Sequence, residues 1–396
     1  MLLGAVLVLT IWIAAAYALW QSRVPADLAV PEIDLSRRID PDTIERARRY
    51  ESFFRYEFAA SQVVLLGVLA LYAKFGIRFA RESAAGRIGT GMLLGMIGLA
   101  LVWLSQVPFR LAEVWWDRRY DQTDSGYVET LFANWWELGA EFLFISFALA
   151  IVMALAGRFP TRWWLGAAPV FIGLGALFAF VFPYLAPTEP IGKTRPDLEA
   201  AGKDYARKQG MEPVRVAVED VSDFTNTPNA YAAGLGPSKR IVLWSTLLDG
   251  RFSDAEVRLV LAHEIGHHSR AHIPKSLGWY ALFALPGAWL IAVATRRRGG
   301  MADPASVPLS LLVLVALNLL SLPLYNVISR HMEEEADWMA LETTRDPAAA
   351  AGVFRKFTIE SLNDPDPPRW SYLLFDSHPS VKERIQLAEA WRKQAK

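Results

Sequence analysis

The chain has 396 residues, 53% of them hydrophobic and 12% aromatic against 21% charged, a composition too apolar for two water-soluble domains and one that calls for membrane spans. Its 41 basic residues balance 41 acidic ones, so no overall electrostatic footprint speaks for a nucleic-acid partner. With no cysteine, disulfides and thiolate metal sites are excluded, and any metal must be held by nitrogen and oxygen.

A helix crossing about 30 Å of hydrocarbon needs roughly 20 apolar residues. Seven runs come near that length, at residues 2–20, 58–73, 88–109, 142–157, 163–186, 277–295 and 307–328. The first lacks the basic start and small-residue cleavage site of a signal peptide and reads as a span. The second is short, and Lys74 can lengthen it by reaching to the interface. Tryptophan pairs at Trp115-Trp116, Trp135-Trp136 and Trp163-Trp164 fall near span ends, where an interfacial belt is expected, core packing being the competing explanation. Lys and Arg divide almost evenly between alternate loops, so charge counting leaves the orientation open.

Four regions follow: 1–187 with five spans, 188–275, a two-span hairpin at 276–328, and a C-terminal region at 329–396. Within 188–275 a charged helix at 198–208 precedes two strand-like runs, VRVAV from Val214 and RIVLW from Arg240. An amphipathic helix is expected from about Ser253, with Ser253 as N-cap and Glu256 as its capping-box partner.

On that helix His263-Glu264-x-x-His267 fits the pattern H-E-x-x-H. Positions i and i+4 share one helix face, so both imidazoles can reach one Zn²⁺ at about 2.0–2.1 Å. Glu264 is then placed to take a proton from an activated water. By chance the pattern should arise about once per hundred chains of this composition. Solvated histidines on a helix face are the competing reading. His268 points about 100° away from His267 and reads as a helix-face residue, and His272 is assigned no metal.

A catalytic zinc needs a third protein ligand. In SRHMEEEAD, Ser329 to Asp337, only Glu333 has an acid four residues on, namely Asp337, whereas Glu334 and Glu335 have Trp338 and Met339 there. The spacing selects Glu333 as ligand and Asp337 as the carboxylate that orients a ligand histidine through its other ring nitrogen. Two spans separate His267 from Glu333, which returns the chain to the face it left. A polytopic transporter or zinc-sensing receptor is the rival from another class, but charged residues at mid-span are few.

With these pieces placed, the chain resembles the type I CAAX prenyl endopeptidases, integral-membrane zinc metalloproteases of the gluzincin class. The resemblance rests on HEIGHHSRAH at 263–272, SRHMEEEAD matching S-R-x-x-E-x-x-A-D, PNAYAAGLGPSKRIVLWSTLL at 228–248, SHPSVKERI at 377–385, and the span count. It implies a polytopic α-helical membrane protein of about seven spans with an α+β zincin-like catalytic domain and one Zn²⁺ per chain. It implies that His263, His267 and Glu333 hold the metal and that Glu264 is the general base. By the same resemblance His378 stabilises the oxyanion, Asn229, Ala230 and Tyr231 form an edge strand that binds substrate, and Arg384 braces that site. The implied partners are the lipid bilayer and a peptide or protein substrate, prenylated in the CAAX reading and any membrane protein in a quality-control reading. The resemblance favours a cytoplasmic catalytic face.

Overall fold

The computed structural model describes residues 2–133 and 135–395. The apolar runs become helices, because a chain in hydrocarbon has to satisfy its own N–H and C=O groups. In chain order the first are α1 (Leu2–Trp20), α2 (Pro41–Phe75), the short α3 (Ile77–Glu82), α4 (Gly86–Arg119), α5 (Tyr127–Ala133), α6 (Trp135–Arg158) and α7 (Trp163–Leu185). α2 begins well before its apolar run, since Pro41 suits a first helical turn and the Asp40 side chain accepts the Thr43 N–H at 3.1 Å.

After the catalytic strands come α10 (His272–Thr295) and α11 (Val307–Thr344), the expected hairpin. Among the described residues six helices are long and apolar enough to cross a membrane. The first expected span, α1, is a shorter apolar helix there, Val6–Trp20.

The six long helices pack in a closed ring: α2 on α4, α4 on α6, α6 on α7, α7 on α10, α10 on α11, and α11 back on α2. Six cylinders about 10 Å across that touch in a ring leave a central hole roughly one helix wide. A cavity of ≈ 1590 Å³ opens on the side of the ring walled by α6, α7, α10 and α11 and extends to the catalytic strands. Close approach between α4 and α6 depends on Gly95, where a methyl group would stand 2.3 Å from Leu149 Cδ1. α1 lies outside the ring against α10, with Trp12 Nε1 donating to Leu282 O at 3.2 Å.

The tryptophans depart from a simple belt. Trp163 is 3% exposed and packs in the core between helices, and Trp116 stacks on Phe53 and donates to Tyr50 O at 3.0 Å. The pattern of rings near span ends does not reveal which of them a neighbouring helix covers. The side chains of Trp135 and Trp136 lie outside the described residues.

Both expected strand runs form. A four-stranded sheet has the order β1 (Thr188–Pro190), β2 (Arg215–Glu219), β4 (Arg240–Trp244), β3 (Ala230–Ala233), with β2 and β4 parallel and the outer pairs antiparallel. Around it lie α8 (Pro196–Lys208), α9 (Asp254–Ser269), α12 (Pro347–Glu360), α13 (Arg369–Phe375) and α14 (Val381–Gln394). Leu198, Ile241 and Leu261 from the first water-facing region share one core with Leu341, Val353 and Ile385 from the second. The two regions are therefore one catalytic domain, and α11 runs from the membrane into it.

Candidate active site

α9 is set up by its own sequence. Ser253 Oγ accepts the Glu256 N–H at 3.4 Å, and the Glu256 carboxylate takes the Ser253 N–H at 2.8 Å, closing the capping box. Lys356 of α12 donates to the same carboxylate at 2.7 Å and fastens the helix start to the domain. Further along, Gly266 lies against α11, where a methyl group would stand 3.3 Å from both Cα and O of Ala336. The missing side chain lets the two helix backbones touch, and their side chains on either side of that contact converge.

His263 and His267 of α9 and Glu333 of α11 each offer a ligand atom within 4.8 Å of the others. His263 Nε2 is 3.1 Å from His267 Nε2 and 3.2 Å from Glu333 Oε2, and His267 Nε2 is 3.5 Å from Glu333 Oε1. A tetrahedral ion at about 2.0–2.1 Å from its ligands holds them about 3.3–3.4 Å apart. The donors thus stand at zinc spacing already. Glu333 Oε2 is also a buried oxygen without an aligned hydrogen-bond donor, and a set of two imidazoles and a carboxylate suits this metal.

Burial opposes charge on His263, but the carboxylates of Asp337 and Glu333 outweigh it and push the imidazole up to about 10. Burial pushes His267 down to about 3, so it stays neutral. Glu264 is buried beside them, and burial pushes its carboxyl up to about 7. A group poised there can both accept and return a proton near neutral pH.

The other expected residues surround this cluster. Asp337 Oδ1 accepts from His263 Nδ1 at 2.8 Å, and Arg384 grips the same carboxylate in bidentate fashion, Nε to Oδ2 at 2.7 Å and Nη2 to Oδ1 at 2.6 Å. Arg384 so holds the partner of a histidine, while its side chain also lines the cavity. His378 is 60% exposed, facing the cavity, with Nε2 3.5 Å from Glu333 Oε2 and Nδ1 3.1 Å from Ser377 Oγ. Asn229, Ala230 and Tyr231 line the cavity beside Glu264, on or next to β3, whose outer edge has no strand partner among the described residues.

One histidine behaves otherwise than the sequence suggests, and another has partners that the sequence leaves open. His268 is not on an open helix face: it is 5% exposed, and its Nε2 lies 3.2 Å from Arg240 O, tying α9 to β4. The helix face that carries His268 is covered by the sheet, which periodicity alone does not disclose. Burial pushes His268 down to about 4 from its usual 6.5. Protonation is therefore harder in the folded chain, so this contribution is complete above about pH 6.5 and is lost as pH falls toward 4, on the order of 3 kcal/mol. Unfolding of the purified protein followed across that window should show the acid loss, and His268→Gln, which keeps a donor for Arg240 O, should flatten it.

His272, which is assigned no metal, pairs with Glu335. No acid follows Glu335 by four residues, yet it is 1% exposed and accepts from His272 Nε2 at 3.0 Å. His272 Nδ1 in turn lies 2.9 Å from His267 Nδ1. Two residues past Glu333, Glu335 points about 200° around α11, away from the ligand cluster and toward the α9–α10 junction. Only the helix packing shows what waits there. The signal that was available is His272 itself, five residues after a ligand histidine.

The profile of Peptidase family M48 matches residues 193–392. An uncharacterized metalloprotease, YhfN, of Bacillus subtilis (strain 168) is 29% identical over 283 residues, 68% of this chain and 65% of that protein, so the chain spans just under two thirds of this relative. A protease HtpX homolog of Leuconostoc citreum (strain KM20) is 29% identical over 219 residues, 49% of this chain and 72% of its own length. A CAAX prenyl protease 1 homolog of Oryza sativa subsp. japonica is 29% identical over 184 residues, 44% of this chain and 43% of that one. The crystal structure of S. mikatae Ste24p shares the fold, with a TM-score of 0.71 at 19% identity over 96% of this chain and 97% of that chain.

Proposed function

The chain belongs to peptidase family M48, and from that premise we propose that it is a zinc-dependent integral-membrane endopeptidase that cuts peptide bonds at the wall of its intramembrane chamber. The observation that carries this reading is the convergence of His263, His267 and Glu333 at zinc spacing, on the chamber wall beside a strand edge that has no strand partner among the described residues. His263, His267 and Glu333 would hold one ion per chain. The chemistry such an ion supplies is Lewis-acid polarisation of a carbonyl and acidification of water.

The remaining work falls to side chains. An extended substrate pairs its backbone with the outer edge of β3, along Asn229, Ala230 and Tyr231, and takes over the Ala230 N–H that Asn229 Oδ1 accepts at 2.8 Å. Glu264 removes a proton from the attacking water and hands it to the leaving amine. His378, exposed to the chamber, donates to the oxygen on which negative charge develops. Asp337 holds His263 by Nδ1 and is itself held by Arg384. Asp337 and Arg384 thus act by position.

The chamber favours substrates with an apolar end. α6 and α7 give it Phe144, Ile145, Leu149, Val152 and Phe171, and α11 adds Leu311, Leu314 and Leu317. A lipid group attached to a peptide held at β3 would lie against these apolar walls, which supports a prenylated C-a-a-X substrate. Cleavage of a farnesylated C-a-a-X peptide and its unprenylated twin by the purified protein tests this. The expected kcat/KM favours the farnesylated peptide by at least about tenfold, or about 1.4 kcal/mol. Equal rates would remove prenyl specificity and leave general proteolysis of membrane proteins.

A further inference from the structure

We infer that His272 and Glu335 form a positioning chain that fixes the tautomer and ring orientation of His267, an inference that rests on His267 being a zinc ligand. The buried Glu335 carboxylate accepts four donors: Arg23 N–H at 2.8 Å and Arg270 Nε at 2.7 Å on Oε1, and Lys275 Nζ at 3.1 Å and His272 Nε2 at 3.0 Å on Oε2. Both oxygens are therefore acceptors, each taking two donors. The proton of His272 is therefore on Nε2.

A ring that binds zinc through Nε2 keeps its proton on Nδ1, and His267 Nδ1 lies 2.9 Å from His272 Nδ1. Two N–H groups cannot share that distance, so His272 Nδ1 is the acceptor and His267 Nδ1–H donates. His267 Nε2 is left bare, aimed at His263 Nε2 and Glu333 Oε1. This is the form in which an imidazole binds a metal. The backbone contributes as well. Ala271, the N-cap of α10 just after the Arg270 C-cap of α9, takes a left-handed conformation, φ 55°, and the ring of His272 after it meets that of His267 edge-on, centroids 5.0 Å apart. An alanine in that region is unusual, and here it serves a contact.

The two ligand histidines are thus backed differently. His263 gives its Nδ1–H straight to Asp337, while His267 reaches its carboxylate through a second imidazole. The second chain ends on Arg23 N–H, just past α1, and Lys275 also donates to Gln21 O at 2.9 Å, so the end of the first helix is fastened to the support of a ligand.

Zinc affinity of the full-length protein, measured by competition with a chelator, tests the chain of protons. His272→Asn sets an amide oxygen where Nδ1 was, and His272→Leu fills the space without an acceptor. The expected order is wild type and His272→Asn within about threefold of each other, and His272→Leu weaker by about 10–100-fold. A packing role predicts the reverse, with Leu tolerated and Asn worse, and that order would overturn the inference. Glu335→Gln keeps the shape but lets an amide N–H face His272, which inverts the proton order, so it should weaken zinc to the same degree as His272→Leu. Unchanged affinity in Glu335→Gln would also count against it. His267→Ala serves as the control: if it binds zinc as tightly as wild type, the ligand set itself is wrong, a result distinct from the failure of the chain behind it.

Discussion

Purified Glu264→Gln protein should retain zinc at wild-type stoichiometry and lose peptide hydrolysis by about 10²–10⁴-fold. Gln fills the same space and leaves His263, His267 and Glu333 untouched, so only the proton-accepting function is removed. The same change carries a stability signature. Because burial lifts the Glu264 carboxyl to about 7, the folded chain prefers it neutral. Its contribution is therefore complete below about pH 4.5 and is lost as pH rises through 7, where an ionised group stays buried. Metal-free Glu264→Gln should accordingly match wild type near pH 4 and exceed it by on the order of 3 kcal/mol at pH 8. Denaturation at the two pH values in the presence of chelator reads this difference. An inactive variant that shows no alkaline gain would place Glu264 in a more polar setting than the one described.

Glu333→Ala is the second large effect. Glu333 is the only anion among the three convergent ligand groups, and it comes from the far end of a two-span hairpin. Without it, two neutral imidazoles face a dication, and the site falls below the three protein ligands that a catalytic zinc keeps. Elemental analysis of purified protein should fall from about one zinc per chain to near zero, with activity at background. Asp337 and Arg384 remain paired in that variant, so the domain should stay folded, and circular dichroism checks that it does. Full zinc content in Glu333→Ala would transfer the ligand role to a neighbour.

Much of this architecture was legible before any coordinates. Charge-free runs mark helices, because hydrocarbon permits little else, and RIVLW and VRVAV mark strands by their β-branched residues. The i, i+4 rule joined His263 to His267 and singled out Glu333 over its two neighbours, and the packing brings these three groups together. What stayed hidden depends on which elements are neighbours. No single span announces that six of them close a ring, and the small residue at Gly95 that permits close approach gives no partner. Local pattern reads His268 as a helix-face residue and Trp163 as part of an interfacial belt, because the surfaces that cover them come from distant sequence. Glu335 failed a local spacing test since its partners are Arg23, Arg270, His272 and Lys275, gathered from either side of the α9–α10 break and from the end of α1.

Crystals of the protein grown with zinc and measured on both sides of the zinc absorption edge would locate the ion by its anomalous scattering. The expected result is one strong peak per chain, about 2 Å from His263 Nε2, His267 Nε2 and a carboxylate oxygen of Glu333, with a fourth position open to the chamber. A peak held instead by Glu334 or Glu335, or none at this cluster in a protein that still cleaves peptides, would contradict it.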